Sequence, residues 1–202
     1  MNLVFKPRSE LSDKVLLNEK VINLFISFLM YSFVGWVTET IYMSIYHGHL
    51  VKRGFLIGPL CVVYGIASLL VIYSLNNIKS HPFLLFLSAS VLTSLVELAA
   101  GLVLSNLVEK RLWDYSGNLG NFMGYICLRN TILWGVMSLF LVYVIHPTVL
   151  KIIAAVSAKV KELFCVCVFI FLFLDIGISI YAGLRGINNI TLISQVFMGR
   201  MP

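Results

Sequence analysis

Five charged residues and two glycines, lying within or beside long apolar runs, are the first candidates for chemistry. The set comprises Glu39, Arg53, Gly54, Gly58, Glu97, Asp114 and Arg129. A charge near the middle of a membrane costs about 2.5–3.5 kcal/mol on insertion scales, so it is retained only where it is neutralised, paired or used. These residues therefore predict a polar intramembrane site that handles a proton or cation, or binds a polar or anionic small molecule. The structural alternative is hydrogen bonding between packed helices.

Glu39 and Glu97 each share a predicted helix face with small residues. Gly35 lies one turn before Glu39, and Gly101 lies one turn after Glu97. Small residues let neighbouring helices approach closely. We therefore expect both carboxyl groups to point into the helix bundle and to lie near each other or near an arginine. Asp175, in the last apolar run, is a similar case for which a functional and a structural role are equally open.

Arg53 lies beside a break in the second apolar run. Gly54, Gly58 and Pro59 interrupt that run, and proline favours the first position of a helix, so a helix is expected to begin near Pro59. Free amide groups at a helix N-terminus, with an arginine beside them, form a good anion site. The alternative is that Arg53 anchors the loop at the lipid headgroups.

Asp114 and Arg129 are expected to complete this group of charges. Asp114 is a potential partner for Arg53 or Arg129. Arg129 lies about one turn into the fourth predicted helix, where it can snorkel to the surface or pair with Glu97 or Asp114. The neighbouring Tyr115 is of a type that commonly anchors proteins at the membrane interface.

The elements that must position these residues are membrane helices. Hydrophobic residues make up 59% of the 202 residues and charged residues 12%, about half the charged share of a soluble domain. The fold class predicted is all-α: a polytopic membrane bundle of about five transmembrane helices, with the stretch before Pro59 as a re-entrant loop. Pro147 is expected to end the fourth span, and an interfacial helix is expected to follow it. The predicted spans are 21–46, 59–75, 82–108, 125–145 and 164–184, in one domain of residues 21–185 between a polar segment 1–20 and a short tail 186–202.

The remaining composition excludes several functions. The net charge is +6, but the basic residues lie in short segments between apolar runs. This distribution favours contact with anionic lipid headgroups of a bilayer over nucleic acid. The four cysteines form no CxxC pair and have no histidine at metal-ligand spacing. No cofactor, no metal and no catalytic residue set is therefore predicted.

Several segments together resemble a known family. They are residues 35–42 (GWVTETIY), 53–65 (RGFLIGPLCVVYG), Glu97, 111–116 (RLWDYS) and 121–135 (NFMGYICLRNTILWG). In this order they resemble the CmpB-like family of putative ABC-transporter type IV integral membrane proteins. The resemblance implies a transport component, permease-like or a substrate-binding subunit, that crosses a bacterial cell membrane several times. The sequence has no GxxxxGK[ST] loop, so an ATPase partner would be a separate subunit.

Two other functions stay open at the level of sequence. One is a membrane-embedded enzyme acting on a lipid or prenyl-phosphate substrate, with Glu39 or Glu97 as acid or base and Arg53 holding the phosphate. The other is a non-catalytic membrane scaffold or sensor. Whether the chain is an enzyme is therefore undecided by its motifs.

Overall fold

The architecture, taken from a computed structural model, is an all-α bundle, as the sequence predicts. The structure describes residues 8–51, 53–109 and 111–185, and the predicted tail 186–202 lies outside them. The described residues form five main helices: α1 (Arg8–His47), α2 (Val62–Ser74), α3 (Pro82–Val108), α4 (Leu128–Ala155) and α5 (Ala158–Leu184).

Four of these helices are long and apolar enough to cross a membrane. They are Asn18–His47 within α1, together with α3, α4 and α5. The remaining helix, α2, has 13 residues and is only about 20 Å long. This length is less than the roughly 30 Å hydrocarbon core of a bilayer. The predicted second span therefore requires the segment 48–61, which precedes α2, in addition to the helix.

The helices α1 and α2 pack closely because glycines remove side chains from their contact. Gly35 of α1 lies against the side chain of Tyr64, and Gly65 of α2 lies against the hydroxyl of Ser32. A methyl group at either position would overlap these neighbours. The buried apolar core comprises Ile26, Tyr31, Val71, Ala89, Leu141, Val149 and Ile153.

The last helix, α5, runs beside α1 in the same direction. Near its start, the buried Lys161 Nζ lies 3.4 Å from Glu19 Oε1 and 3.0 Å from Asn23 Oδ1 of α1. Near its end, Gly183 lies against Val108, the last residue of α3. We call the end of the bundle that holds Val108 and the segments 48–61 and 109–127 the far end.

The segment 48–61 enters the bundle from the far end as irregular backbone. The amide of Cys61 donates to the carbonyl of Ser32 at 3.1 Å, and Ser32 lies near the middle of the α1 span Asn18–His47. The expectation that the second helix begins at Pro59 is wrong, because the helix begins at Val62. Pro59 instead lies in a run of bends, where its fixed φ angle suits a turn.

The fourth helix also differs from the prediction. Pro147 does not end it, because residues His146–Ala155 continue the helix that begins at Leu128. The interfacial position expected for the residues after Pro147 stays a prediction. A π-helical turn, Leu141–Ile145, ends two positions before this proline. Such a turn shifts the hydrogen-bond register of a helix, and the chain can therefore accommodate a residue that lacks an amide hydrogen.

Candidate functional site

Glu39 and Arg53 form an ion pair between α1 and the segment 48–61. Arg53 Nε and Nη2 both lie 3.0 Å from Glu39 Oε1. The backbone carbonyl of Arg53 accepts a hydrogen bond from Trp36 Nε1 at 3.0 Å, so this arginine is fixed at its backbone and at its side chain. Arg53 is thus the arginine expected near Glu39, and its charge is already balanced by the protein.

Glu97 points into the bundle and is held by two neutral donors. Only 5% of the residue is exposed. Trp134 Nε1 of α4 donates to Oε2 at 2.9 Å, and the hydroxyl of Tyr115 donates to Oε1 at 3.3 Å. Burial and the charge of Glu97 both raise the pKa of Tyr115, so its hydroxyl stays protonated and able to donate. Glu97 therefore joins the segment 109–127 to the inside of the bundle.

The glycine break around Gly54 and Gly58 is bound by a carboxylate from α5. The amide of Ile57 donates to Asp175 Oδ1 at 2.8 Å, and the amide of Gly58 donates to Asp175 Oδ2, also at 2.8 Å. A Cβ atom at Gly58 would lie 2.8 Å from Asp175 Oδ2, and Gly54 has a φ angle of +93°. The glycines thus allow the close approach and the turn, and Asp175 takes the place that an external anion was expected to occupy at these two amides.

Asp114 and Arg129 do not join the other charges. Asp114 accepts hydrogen bonds from the Ser116 hydroxyl at 2.5 Å and the Ser116 amide at 3.0 Å, and it lies 3.5 Å from Arg111 Nη1. The two bonds from Ser116 lower the pKa of the exposed Asp114 carboxyl. Arg129 is exposed, and its Nε lies 3.4 Å from the neighbouring Asn130 Oδ1. The expected pairs of Asp114 with Arg53 or Arg129, and of Arg129 with Glu97, are absent from the described residues.

A cavity of about 370 Å³ lies between the first four helices. It is lined by α1 between Tyr31 and Thr38, by α2 between Tyr64 and Val71, by Thr93 of α3, and by α4 between Trp134 and Ile145. Most of its wall is apolar. At its rim, Val136 and Phe140 are 53% and 57% exposed on the outer surface of the bundle, so the cavity opens sideways where lipid would lie.

The cavity and the buried carboxyl meet at Trp134. This side chain lines the cavity and donates its indole hydrogen to Glu97. Thr93, one helical turn before Glu97, lines the cavity as well. Tyr64 lies beside Trp134, with 4.9 Å between the ring centroids. An apolar chamber therefore ends against two aromatic rings that have a carboxylate directly behind them.

Sequence reasoning missed the roles of Tyr64, Tyr115 and Trp134. The sequence indicates an interface anchor at Tyr115, and it assigns no individual role to Tyr64 or Trp134. One signal was available: a tryptophan or tyrosine inside an apolar helix needs a partner for its polar atom, and a buried acid is such a partner. No pattern of spacing, however, indicates that these rings meet in space.

The fold and the site together define an α-helical membrane protein whose polar groups face inward around a lateral cavity. Its family follows from comparison: the chain belongs to the CmpB-like family, because the family model described as putative ABC-transporter type IV matches residues 26–180. The resemblance seen in the sequence is thereby confirmed, and the chain is a transport-related membrane protein. Comparison with curated proteins and with solved structures gave no match.

Proposed function

We propose that this chain is a permease-like, substrate-binding subunit of a multi-pass cell-membrane transporter, and that it receives a solute with an apolar body through the side of the bundle. The observation that carries the proposal is the cavity between α1, α2, α3 and α4, whose apolar wall ends at Trp134, the side chain that is hydrogen-bonded to Glu97. Ligand sites are usually concave and mostly apolar, with a few polar groups that fix orientation. The membership in an ABC-transporter family supports the transport role.

The charges near the site limit the kind of solute. Arg53 is paired with Glu39, and the amides of Ile57 and Gly58 are bonded to Asp175. An anionic ligand at this break would have to displace a carboxylate that the protein itself provides. The geometry therefore favours a solute whose main contacts are apolar and whose polar end lies near Trp134.

The same pairing weighs against the alternative of an enzyme for prenyl phosphates. That reaction would need Arg53 to hold a phosphate, and both of its nitrogens near Glu39 are already engaged. Energy for transport would come from a separate ATPase subunit, as the ABC family implies, since the sequence has no phosphate-binding loop of the GxxxxGK[ST] type.

Binding in the cavity can be tested with a neutral probe, the methyl ester of nitroxide-labelled stearic acid. The nitroxide quenches tryptophan fluorescence, and Trp134 lines the cavity. The protein is held in nanodiscs, and Ser68→Phe fills the chamber because Ser68 lines it. The matched control is Leu70→Phe, two residues along α2 on an exposed surface.

We expect saturable quenching in the unchanged protein and in Leu70→Phe, and its loss in Ser68→Phe. Transport is then measured as ATP-dependent movement of the same probe in native membrane vesicles that contain each variant. Equal saturable quenching in all three proteins would contradict the proposal. Saturable binding without any ATP-dependent movement would leave a membrane sensor as the better description.

A further inference from the structure

We infer that the cavity selects hydrophobic organic cations, and that the Glu97 carboxylate supplies the selecting charge. This inference rests on the proposed function, since it names the class of solute for the same cavity. It differs from the expectation of an anionic ligand. It depends on three features of the site: the burial of Glu97 without a basic partner, the aromatic wall of the cavity, and the balance of the other charges nearby.

Glu97 is a buried carboxylate that has no basic partner among the described residues. It is 5% exposed, and its two oxygens accept hydrogen bonds from Trp134 and Tyr115, which are neutral donors. No lysine or arginine nitrogen of residues 18–51, 53–109 and 111–185 lies within ion-pair distance of it. Acids at membrane depth usually pair with one another or with a cation, and they mark substrate and ion pathways.

The wall in front of Glu97 is suited to a cation that carries apolar groups. Tyr64 and Trp134 both line the cavity, and their ring centroids are 4.9 Å apart. The face of an aromatic ring attracts a cation, tryptophan most strongly, and the attraction grows when water is excluded. Because the indole of Trp134 donates its hydrogen to Glu97, the carboxylate makes the Trp134 ring more electron-rich.

The other charges near this end of the cavity do not offset Glu97. Glu39 and Arg53 compensate each other as an ion pair, and Asp175 is held by two backbone amides and by Ser179. When Glu97 is ionised, the charge left over at the cavity end is negative. A cation in the cavity is therefore stabilised, an anion is repelled, and a neutral molecule is bound by apolar contact alone.

The test uses tetraphenylphosphonium and tetraphenylborate, two ions of nearly the same shape and opposite charge. The full chain is held in nanodiscs of zwitterionic lipid, and saturable binding is followed by tryptophan fluorescence. Each probe is compared between variants, so its own partition into lipid cancels. The variants are Glu97→Gln, Glu97→Asp, which keeps the charge, and Glu162→Gln, which removes an exposed acid of α5.

We expect Glu97→Gln to weaken phosphonium binding on the order of thirtyfold, as for one lost charge several ångströms away in the protein interior. It should leave borate binding unchanged or stronger. Glu97→Asp should retain most of the phosphonium affinity, and Glu162→Gln should change neither probe. Equal phosphonium affinity in the unchanged protein and in Glu97→Gln would overturn the inference, while the cavity would stand as a site for neutral solutes.

A competition experiment on the unchanged protein guards against a Glu97→Gln variant that fails to fold. Dodecyltrimethylammonium should displace bound tetraphenylphosphonium at a much lower concentration than dodecyl maltoside, a neutral molecule with the same alkyl chain. Equal displacement by both would overturn the role of charge. Absence of saturable binding for the phosphonium, the borate and the neutral stearate ester would remove the proposed function along with this inference.

Discussion

The contact between Asp175 and the amides of Ile57 and Gly58 gives the sharpest prediction. Replacing Asp175 with leucine removes both carboxylate acceptors, so the Gly58 amide loses its partner and the Ile57 amide keeps only its 3.2 Å bond to the Ser179 hydroxyl. Hydrogen bonds to a charged group are worth about 1.5–3 kcal/mol each. Two of them, at 2.8 Å each, correspond to a loss of about 3–6 kcal/mol in the free energy of unfolding. Asp175→Asn keeps one acceptor, so its loss should be roughly half as large.

The free energy of unfolding can be measured by titrating the protein in mixed micelles with sodium dodecyl sulfate. The matched control is Asp114→Leu, which removes an acid whose side chain is 54% exposed and should cost little. Ordinary hydrogen bonds between membrane helices average about 0.6 kcal/mol. A loss near 1 kcal/mol or less for Asp175→Leu would therefore refute the idea that a charged carboxylate holds this segment in the bundle.

Three further predictions concern the Glu39–Arg53 ion pair, the contact between α1 and α2, and the sidedness of two loops. Arg53→Lys keeps the positive charge but offers Glu39 only one nitrogen. It should therefore lower the free energy of unfolding by about 1 kcal/mol in the same titration. An unchanged value would show that the fork geometry of the guanidinium group is unimportant. Gly65→Ala should destabilise by about 1–3 kcal/mol through overlap with α1, and a neutral result would mean that the two helices separate easily. Cysteines placed at Gly48 and Asn118 in a cysteine-free chain should both react with an impermeant reagent from the same side of sealed membranes, and labelling from opposite sides would contradict the topology.

The sequence allowed the inward direction of the two acids to be predicted because each stripe of small residues marks a helix–helix contact. Glu97 is buried, as its stripe indicates, and Glu39 meets an arginine. The break in the second run was also visible, since glycine and proline weaken a helix wherever they occur. Local composition was sufficient for these features because each depends on residues within one or two helical turns.

The partners of these groups could not be predicted, because they come from distant parts of the chain. Asp175 binds amides more than one hundred positions before it, and Glu97 meets Trp134 on another helix. Asp114 lies apart from the other charges for the opposite reason: its partners Ser116 and Arg111 are local. Spacing along a helix defines a face, but it does not say which other helix covers that face.

The irregular segment 48–61 has a consequence for how the chain is made. Its amides at Ile57 and Gly58 depend on Asp175, which lies 118 and 117 positions further along the chain. During synthesis, Asp175 leaves the ribosomal exit tunnel only after the first four helices have left it. Until then these amides lack their carboxylate partner, and backbone amides without a partner are unfavourable in hydrocarbon. An early segment is thus seated only after α5 has been made, and a nascent chain arrested before α5 should keep residues 54–58 open to water-soluble reagents.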